Sequence, residues 1–365
     1  MEFEDRRRGG EGLTVVGAPG HWPGVGQLQV CAMALAFVDV SELNVGDNTV
    51  IIGHREAVMA LLTGSPAQRL EAALGTDILP GLASTLTPGT DDGVSAETFV
   101  GGGSGSLRRV AIVMLPTACS RHNSPSHGHA ITKLLRGCSG SGAVSIIMPL
   151  SDPSHCSASA CAVARAFPTY SLKSDASAVP DVTAALIGAT PADLERANLA
   201  AAGVRRAMAL VDAPTSELHT TAFVAEAEAV CAELQSLPAG AHVGIEVVAG
   251  EQLLEQGMGG LYNVGKAASH PPALVVLSHA PPGASRSVVW AGKGIVYDTG
   301  GLSIKAKEGM PGMKSDMGGA AAVLAAFDAA VRAGPSEDVA LHGAFPTTYT
   351  HTRRRPLRLL YVPRG

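Results

Sequence analysis

Charge, aromatic rings and long apolar runs are all scarce in this chain, and each shortage removes a class of function. Charged residues are 16% of the sequence and aromatics 4%. So few rings give no stacking platform for single-stranded nucleic acid. A net charge of −5 offers no basic face for a phosphate backbone, so nucleic acid is not expected as a partner. No apolar run approaches the ~20 residues that cross a bilayer. The opening MEFEDRRRGGEG has no apolar core of a signal peptide, which leads to the expectation of a soluble, cytoplasmic protein without a membrane partner. The six cysteines, Cys31, Cys119, Cys138, Cys156, Cys161 and Cys231, form no CxxC pair. Zinc held by thiolates is therefore not supported, and free buried thiols are the expectation.

What is present is alanine, glycine and a hydrophobic share of 46% over 365 residues, enough for two α/β domains. Apolar β-branched runs at 108–115 (RRVAIVML), 143–150 (AVSIIMPL) and 182–188 (VTAALIG) read as strands, with 169–172 as a further short one. Helical stretches at 55–62, 66–74, 130–136 and 157–166 alternate with them, which predicts a mainly parallel sheet. Residues 79–105 are rich in Gly, Ser, Thr and Pro, and the run 101–105 (GGGSG) reads as a surface loop or hairpin connection. The expected organisation is an N-terminal α/β domain over 1–189, a linker helix over 190–210, part of a C-terminal α/β domain over 211–345, and a divergent basic tail over 346–365. In the C-terminal part, 243–248 and 271–279 read as strands and 251–256 as a short helix ended by Gly257.

His122, His127 and His129 share one loop before the 130–136 helix. Their spacing fits no common metal-ligand pattern, so solvated loop histidines are the plainer reading. Asp212, Glu217 and His219 could be catalytic or could fix a turn, with Thr220 or Thr221 capping the following helix.

The chemistry concentrates in 290–327, WAGKGIVYDTGGLSIKAKEGMPGMKSDMGGAAAVLAAF. It follows an apolar run, 288–290, with the look of a buried parallel strand, and passes into an alanine-rich helix from residue 317. Between them stand Lys293, Asp298, Lys305 and Asp316, among the glycine pairs Gly300–Gly301 and Gly318–Gly319. Connections between strand and helix are where open α/β sheets place their chemistry. Two aspartates in one pocket repel unless cations sit between them, and carboxylates can bridge two divalent ions ~3.5–4 Å apart. A lysine joins such a site only as the neutral amine; a second, charged lysine could hold an oxyanion. Ordinary turn chemistry is the rival for the Asp-Gly and Gly-Gly steps. A phosphate loop is a weaker rival, because Gly294 stands where Ser or Thr should follow the lysine.

The wording KGIVYDTGGLSIK, MPGMK and GGAAAVL resembles the signature of the leucyl aminopeptidase family of dinuclear metallo-exopeptidases. The segments GGLYNVGKA and PPALVVLSH resemble it too, as does SRHNSPS nearer the N-terminus. The resemblance implies that Lys293 and Asp298 are metal ligands, Asp298 reaching both ions, and that Asp316 binds one ion. It further implies that Lys305 polarises the peptide carbonyl and Met313 lines the specificity pocket. Two divalent ions, zinc or manganese with magnesium a third option, would activate a hydroxide against peptides with a free N-terminus. A homo-oligomer, hexameric in the family, is expected on the same ground. Around Asp212 the family uses a D-x-P-x-N-E entrance segment, in which Ser216 replaces the asparagine here.

The family completes its site with an N-T-D-A-E-G-R loop carrying two further carboxylate ligands and an arginine. This chain has no such segment and runs instead to PTTYTHTRRRPLRLLYVPRG. The expectation is a truncated, weak or inactive aminopeptidase; the alternative is a non-catalytic binding or regulatory homologue that has lost its metals.

Overall fold

The computed structural model describes residues 35–350, apart from 44, 65–69, 71–73, 75–76, 102–106, 120–123, 139–141 and 172–180. The N-terminal half runs β1 (Leu35–Val38), β2 (Asn48–Gly53), α1 (Arg55–Thr63), α2 (Leu79–Ser84), β3 (Val94–Gly101), β4 (Leu107–Met114), α3 (Gly128–Cys138), β5 (Val144–Pro149), α4 (Cys156–Ala166) and β6 (Val182–Ile187). Its sheet has the order β1-β6-β5-β2-β4-β3, parallel throughout except for the antiparallel β3–β4 edge pair. Strands β2 and β5 are buried at every position, which demands cover on both faces. One face packs Ile52, Ala111 and Val113 against Ile131 and Leu135 of α3. The other packs Ile51, Val110 and Ile112 against Val58, Leu61 and Leu62 of α1. Successive residues of one strand point to opposite faces, so both layers are written into each apolar run.

Helix α5 (Pro191–Asp212) then crosses between the halves. It starts at a capping box in which the Thr190 hydroxyl accepts from the Asp193 N–H and the Asp193 carboxylate accepts from the Thr190 N–H. It packs against α4 at one end. The C-terminal half continues with α6 (Thr220–Gln235), β7 (Val243–Ala249), α7 (Glu251–Glu255), α8 (Gly259–Gly265), β8 (Ala273–His279), β9 (Arg286–Ala291), β10 (Gly294–Asp298), α9 (Gly318–Arg332) and β11 (Val339–Thr350). Its sheet follows β10-β11-β8-β7, with β9 also on β11. Strand β8 alternates buried and half-buried, as expected for a sheet with one covered face. That cover is α6 and α9, with Phe223, Phe327 and Phe345 fully enclosed.

Several expectations need correction. Strand β9 is parallel to β11, but its side chains are mostly exposed, Val289 at 63%, because nothing among the described residues covers that face. No strand forms over 169–171; instead the Tyr170 hydroxyl donates to Glu217 at 2.8 Å and ties the two halves together. The 79–101 stretch holds α2 and β3 as well as loop. Residues 346–350, without strand patterning in the sequence, complete β11. Helix α6 is capped by His219 rather than by a threonine: its Nδ1 accepts from the Ala222 N–H. The 66–74 helix, His122, Cys31 and the tail arginines fall largely or wholly outside the described residues.

Candidate active site

Strands β9 and β10 are one strand with a gap. The pairing offset against β11 is the same before it, Ala291 opposite Ala344, and after it, Gly294 opposite Thr347. Gly292 and Lys293 occupy the gap, facing the stretch that contains Pro346, which has no N–H to contribute. The Lys293 carbonyl, on the side of the strand away from β11, accepts from the Ala320 N–H in the first turn of α9 at 2.9 Å. Strand and helix meet this closely because both are glycine at the crossing. A Cβ on Gly292 would lie 2.4 Å from the Gly319 carbonyl oxygen, and one on Gly319 would lie 2.9 Å from the Lys293 nitrogen. The Gly318–Gly319 pair therefore serves close approach, whereas Gly300 and Gly301 serve a turn at φ 85° and 61°.

This crossing sets Lys293 beside the 3-10 turn Met313–Met317 that leads into α9. Lys293 Nζ donates to Asp316 Oδ1 at 2.8 Å. At the far end of β10, an irregularity between Ile295 and Tyr297 shifts the pleat before Asp298. The loop after it closes through Lys305 N–H to Thr299 O at 2.9 Å, returning Lys305 Nζ to within 3.1 Å of Asp298 Oδ2. Asp298 Oδ1 accepts from the Gly300 N–H at 2.9 Å and from the Thr350 hydroxyl at 3.0 Å. The Gly300 N–H above all, with Lys305 and Thr350, holds the Asp298 carboxyl below its ordinary range, against the opposing pull of burial. Met313 opens the 3-10 turn, half-buried, and the Lys314 ammonium donates to the carbonyl of Asp212, the last residue of α5.

Of the five sequence-predicted residues, Lys293 and Asp298 bound β10, Lys305 lies in the loop that follows, and Met313 and Asp316 lie on the 3-10 turn that packs on β10. Four of them form two ion pairs, Lys293–Asp316 and Lys305–Asp298. Thr350 was not foreseen: it lies in the last residue of β11, and the only sequence signal was the β-branched TTYT run at 347–350. Of the loop histidines, His127 is buried against His54 with ring centroids 5.1 Å apart, while His129 is exposed. Asp212, Glu217 and His219 serve structure, through the Lys314 contact, the Tyr170 bond and the α6 cap.

Can these residues hold metal? Asp316 Oδ2 is buried with no hydrogen-bond partner among the described residues, an unusual condition for a carboxylate oxygen and a natural one for a cation ligand. The donor types present, the Asp316 and Asp298 carboxylates and the Lys293 nitrogen, are of the kind that could hold one divalent ion if brought to a common point. The set does not fit a pair. Among the described residues no group of three or more His, Cys, Asp or Glu is placed to hold a metal, and two ions bridged by carboxylate need more anionic donors than two aspartates.

The fold and this constellation define a class: an α/β protein whose C-terminal half carries paired lysines and aspartates where an edge strand meets a glycine-opened helix. Comparison with known proteins makes the class specific. Residues 205–352 match the cytosol aminopeptidase family catalytic domain and residues 48–176 match an N-terminal domain of the same aminopeptidases. The chain is 42% identical over 287 residues to the human protein named Probable aminopeptidase NPEPL1, covering 76% of this chain and 51% of that protein. It is 39% identical over 231 residues to leucine aminopeptidase 1 of Caenorhabditis elegans, covering 62% of this chain and 45% of that protein. The solved structure of Caenorhabditis elegans leucine aminopeptidase superposes with a TM-score of 0.74 at 28% identity, over 89% of this chain and 64% of that one. Leucyl aminopeptidase from Trypanosoma brucei in complex with bestatin gives 0.74 at 26% identity, over 87% and 62%. The chain belongs to the leucyl, or cytosol, aminopeptidase family, whose members are metal-dependent. It spans about half the length of the curated relatives it matches.

Proposed function

We propose that this chain is a metal-dependent aminopeptidase, acting in the cytoplasm on peptides with a free N-terminus, and that the described residues alone support only weak turnover. The observation that carries this reading is the two ion pairs, Lys293–Asp316 from the start of β10 to the 3-10 turn packed on it and Lys305–Asp298 from the end of β10 to the loop that follows. Asp298, Asp316 and Lys293 would hold a divalent ion, which when bound supplies Lewis-acid polarisation of carbonyl and water. Lys305, already beside Asp298, would donate to the substrate carbonyl oxygen as negative charge gathers there. The Gly300 and Thr350 hydrogen bonds fix Asp298 as the anion near neutral pH. Met313 would border the pocket for the first side chain. Weak turnover follows from the count of anionic donors, which fits one ion and not two. By likeness to its family, the protein would act as a homo-oligomer.

A second reading has its own support. Each aspartate already has a lysine partner, so the four charges balance without metal, as in a non-catalytic homologue that retains the fold for binding. Hydrolysis of leucyl-p-nitroanilide with added Mn²⁺ or Zn²⁺ separates the two. The peptidase reading expects metal-dependent release that Lys305→Ala and Asp298→Ala each lower by at least ~100-fold, the scale of removing one oxyanion donor. Equal rates in all three proteins would select the binding homologue.

A further inference from the structure

The N-terminal half contains a cavity of about 290 Å³ unconnected with the residues above, near the lower end of ordinary small-molecule pockets of ~300–1,000 Å³. Its position follows from topology. Strands β2 and β4 are parallel neighbours, yet α1 after β2 packs on one face of the sheet and α3 after β4 on the other. The chain therefore leaves the carboxyl ends of two adjacent strands in opposite directions, the arrangement that opens a crevice in an α/β sheet. His54 follows β2 and His127 follows β4; their rings meet edge to face across that divide.

The walls carry opposite charges. On one side is the turn bearing Asp91 and Asp92, fastened to the end of β4 by Thr117 N–H to Gly89 O and Ala118 N–H to Thr90 O, both 3.0 Å. Gly93 brings this turn against α3, since a Cβ there would lie 2.6 Å from Leu134 Cδ1. On the other side is the amino end of the 11-residue helix α3, with Lys133 on the next turn. Its first intrahelical bond runs from Ile131 N–H to His127 O, so the Gly128, His129 and Ala130 N–H groups precede the ladder and carry the positive end of the helix dipole. Between the walls His127 lines the cavity at 7% exposure, and its ring makes no hydrogen bond among the described residues. It is held at φ 51°, a left-handed conformation that is unfavourable for a non-glycine residue. A buried imidazole without a polar partner, facing a cavity, is a ligand-binding group in waiting. Burial, then His54 and His155, keep it neutral, able to donate from one nitrogen and accept at the other. The Asp92–Lys133 pair across the rim is long, at 3.6 Å, and exposed, so it is weak and easily parted.

We propose that this cavity binds a free α-amino acid with an apolar side chain. The ammonium lies against Asp91 and Asp92, the carboxylate against the α3 amino end and Lys133, His127 bonds the ligand between them, and the side chain rests on Leu134. The assignment does not rest on the peptidase reading, because every group in it belongs to the N-terminal half.

The test is isothermal titration of the full chain with L-leucine, with 3-methylbutylamine (amine only), with 4-methylpentanoate (acid only), and with inorganic phosphate. L-Leucine is expected to bind saturably, and each single-charge probe at least tenfold more weakly. The double variant Asp91→Asn, Asp92→Asn should lose at least tenfold in affinity, Lys133→Ala severalfold, and Asp298→Asn nothing. No saturable binding would overturn the proposal. So would loss of binding in Asp298→Asn, which would move the ligand to the C-terminal half, and so would phosphate or 4-methylpentanoate binding as tightly as leucine, which would leave only an anion site. Should the aspartate variant fail to fold by circular dichroism, ¹³C-histidine spectra of the unaltered protein decide. The ring resonance absent from His127→Asn must shift on adding L-leucine, and an unmoved resonance refutes the site.

Discussion

The two sheets of this protein are built on opposite plans. In the N-terminal half, β2 and β5 are buried at every residue and helices lie on both faces. In the C-terminal half, β8 alternates, α6 and α9 cover one face, and β9 stays open to solvent. The first plan spends its side chains on packing and leaves chemistry to the loops at its carboxyl edge. The second interrupts the strand at the edge of its described sheet, at Gly292–Lys293, and uses the gap to seat a helix and a pair of charges. A sandwiched sheet tolerates little at its strands; a half-covered one can place functional groups within them.

The sharpest way to break this contrast is at the gap itself. Gly292→Ala puts a methyl group into the backbone of Gly319 and Ala320, where no side chain can yield, and should cost about 3 kcal/mol or more in urea unfolding. A cost below about 1 kcal/mol would mean that strand and helix do not meet there. Next, apolar truncations of two parallel strands should differ widely. Ile52→Ala, fully buried, should lose about 2–5 kcal/mol, whereas Val289→Ala, exposed in β9, should stay within about 0.5 kcal/mol. Similar losses would show that β9 is covered in solution.

Acid should weaken both halves. His54 and His127 in the first, and His219 and His279 in the second, have pKa values lowered chiefly by burial. The unfolded chain therefore binds protons more readily, and the stability these groups confer is complete above about pH 6.5 and lost as pH falls through their lower folded values. Thermal melts between pH 8 and pH 5 should show Tm falling on the acid side. His219→Asn, which can still cap α6, should flatten that fall; an unchanged slope would remove His219 from the set. Asp298 has the same sign at lower pH: its contribution is present above about pH 3.8 and fades below it. A small effect is expected of Tyr170→Phe, which removes the bond to Glu217 between the halves and should cost about 1 kcal/mol in urea unfolding.

Much of the N-terminal fold was legible because a strand buried on both faces must be a continuous apolar run, as in RRVAIVML and AVSIIMPL. Strand β3 was not, since an edge strand with alternating exposure, VSAETFVG, looks like loop when glycines and threonines surround it. The last five residues of β11 were hidden by Pro346, which ordinarily argues against a central strand; here its missing N–H falls at the gap in the partner. At the site, the four charged residues could be picked out from the signature, but their pairing could not. Which lysine meets which aspartate depends on the closure of the 299–305 loop and on the glycine crossing. His127 was visible only as one of three loop histidines, and its partner His54 stands 73 positions earlier, set beside it by sheet order alone.

The Lys314 contact has a mechanical meaning. Helix α5 is 22 residues long, a stiff rod of ~33 Å, with α4 packed along it in the first half and its terminal carbonyl gripped by Lys314 in the second. Lys314 is two residues from Asp316. Helix α9, which their shared 3-10 turn opens, also packs along α5, so the rod that crosses from the first half is held in the second both along its side and at its tip, and the turn carrying Asp316 is moored to it at both places.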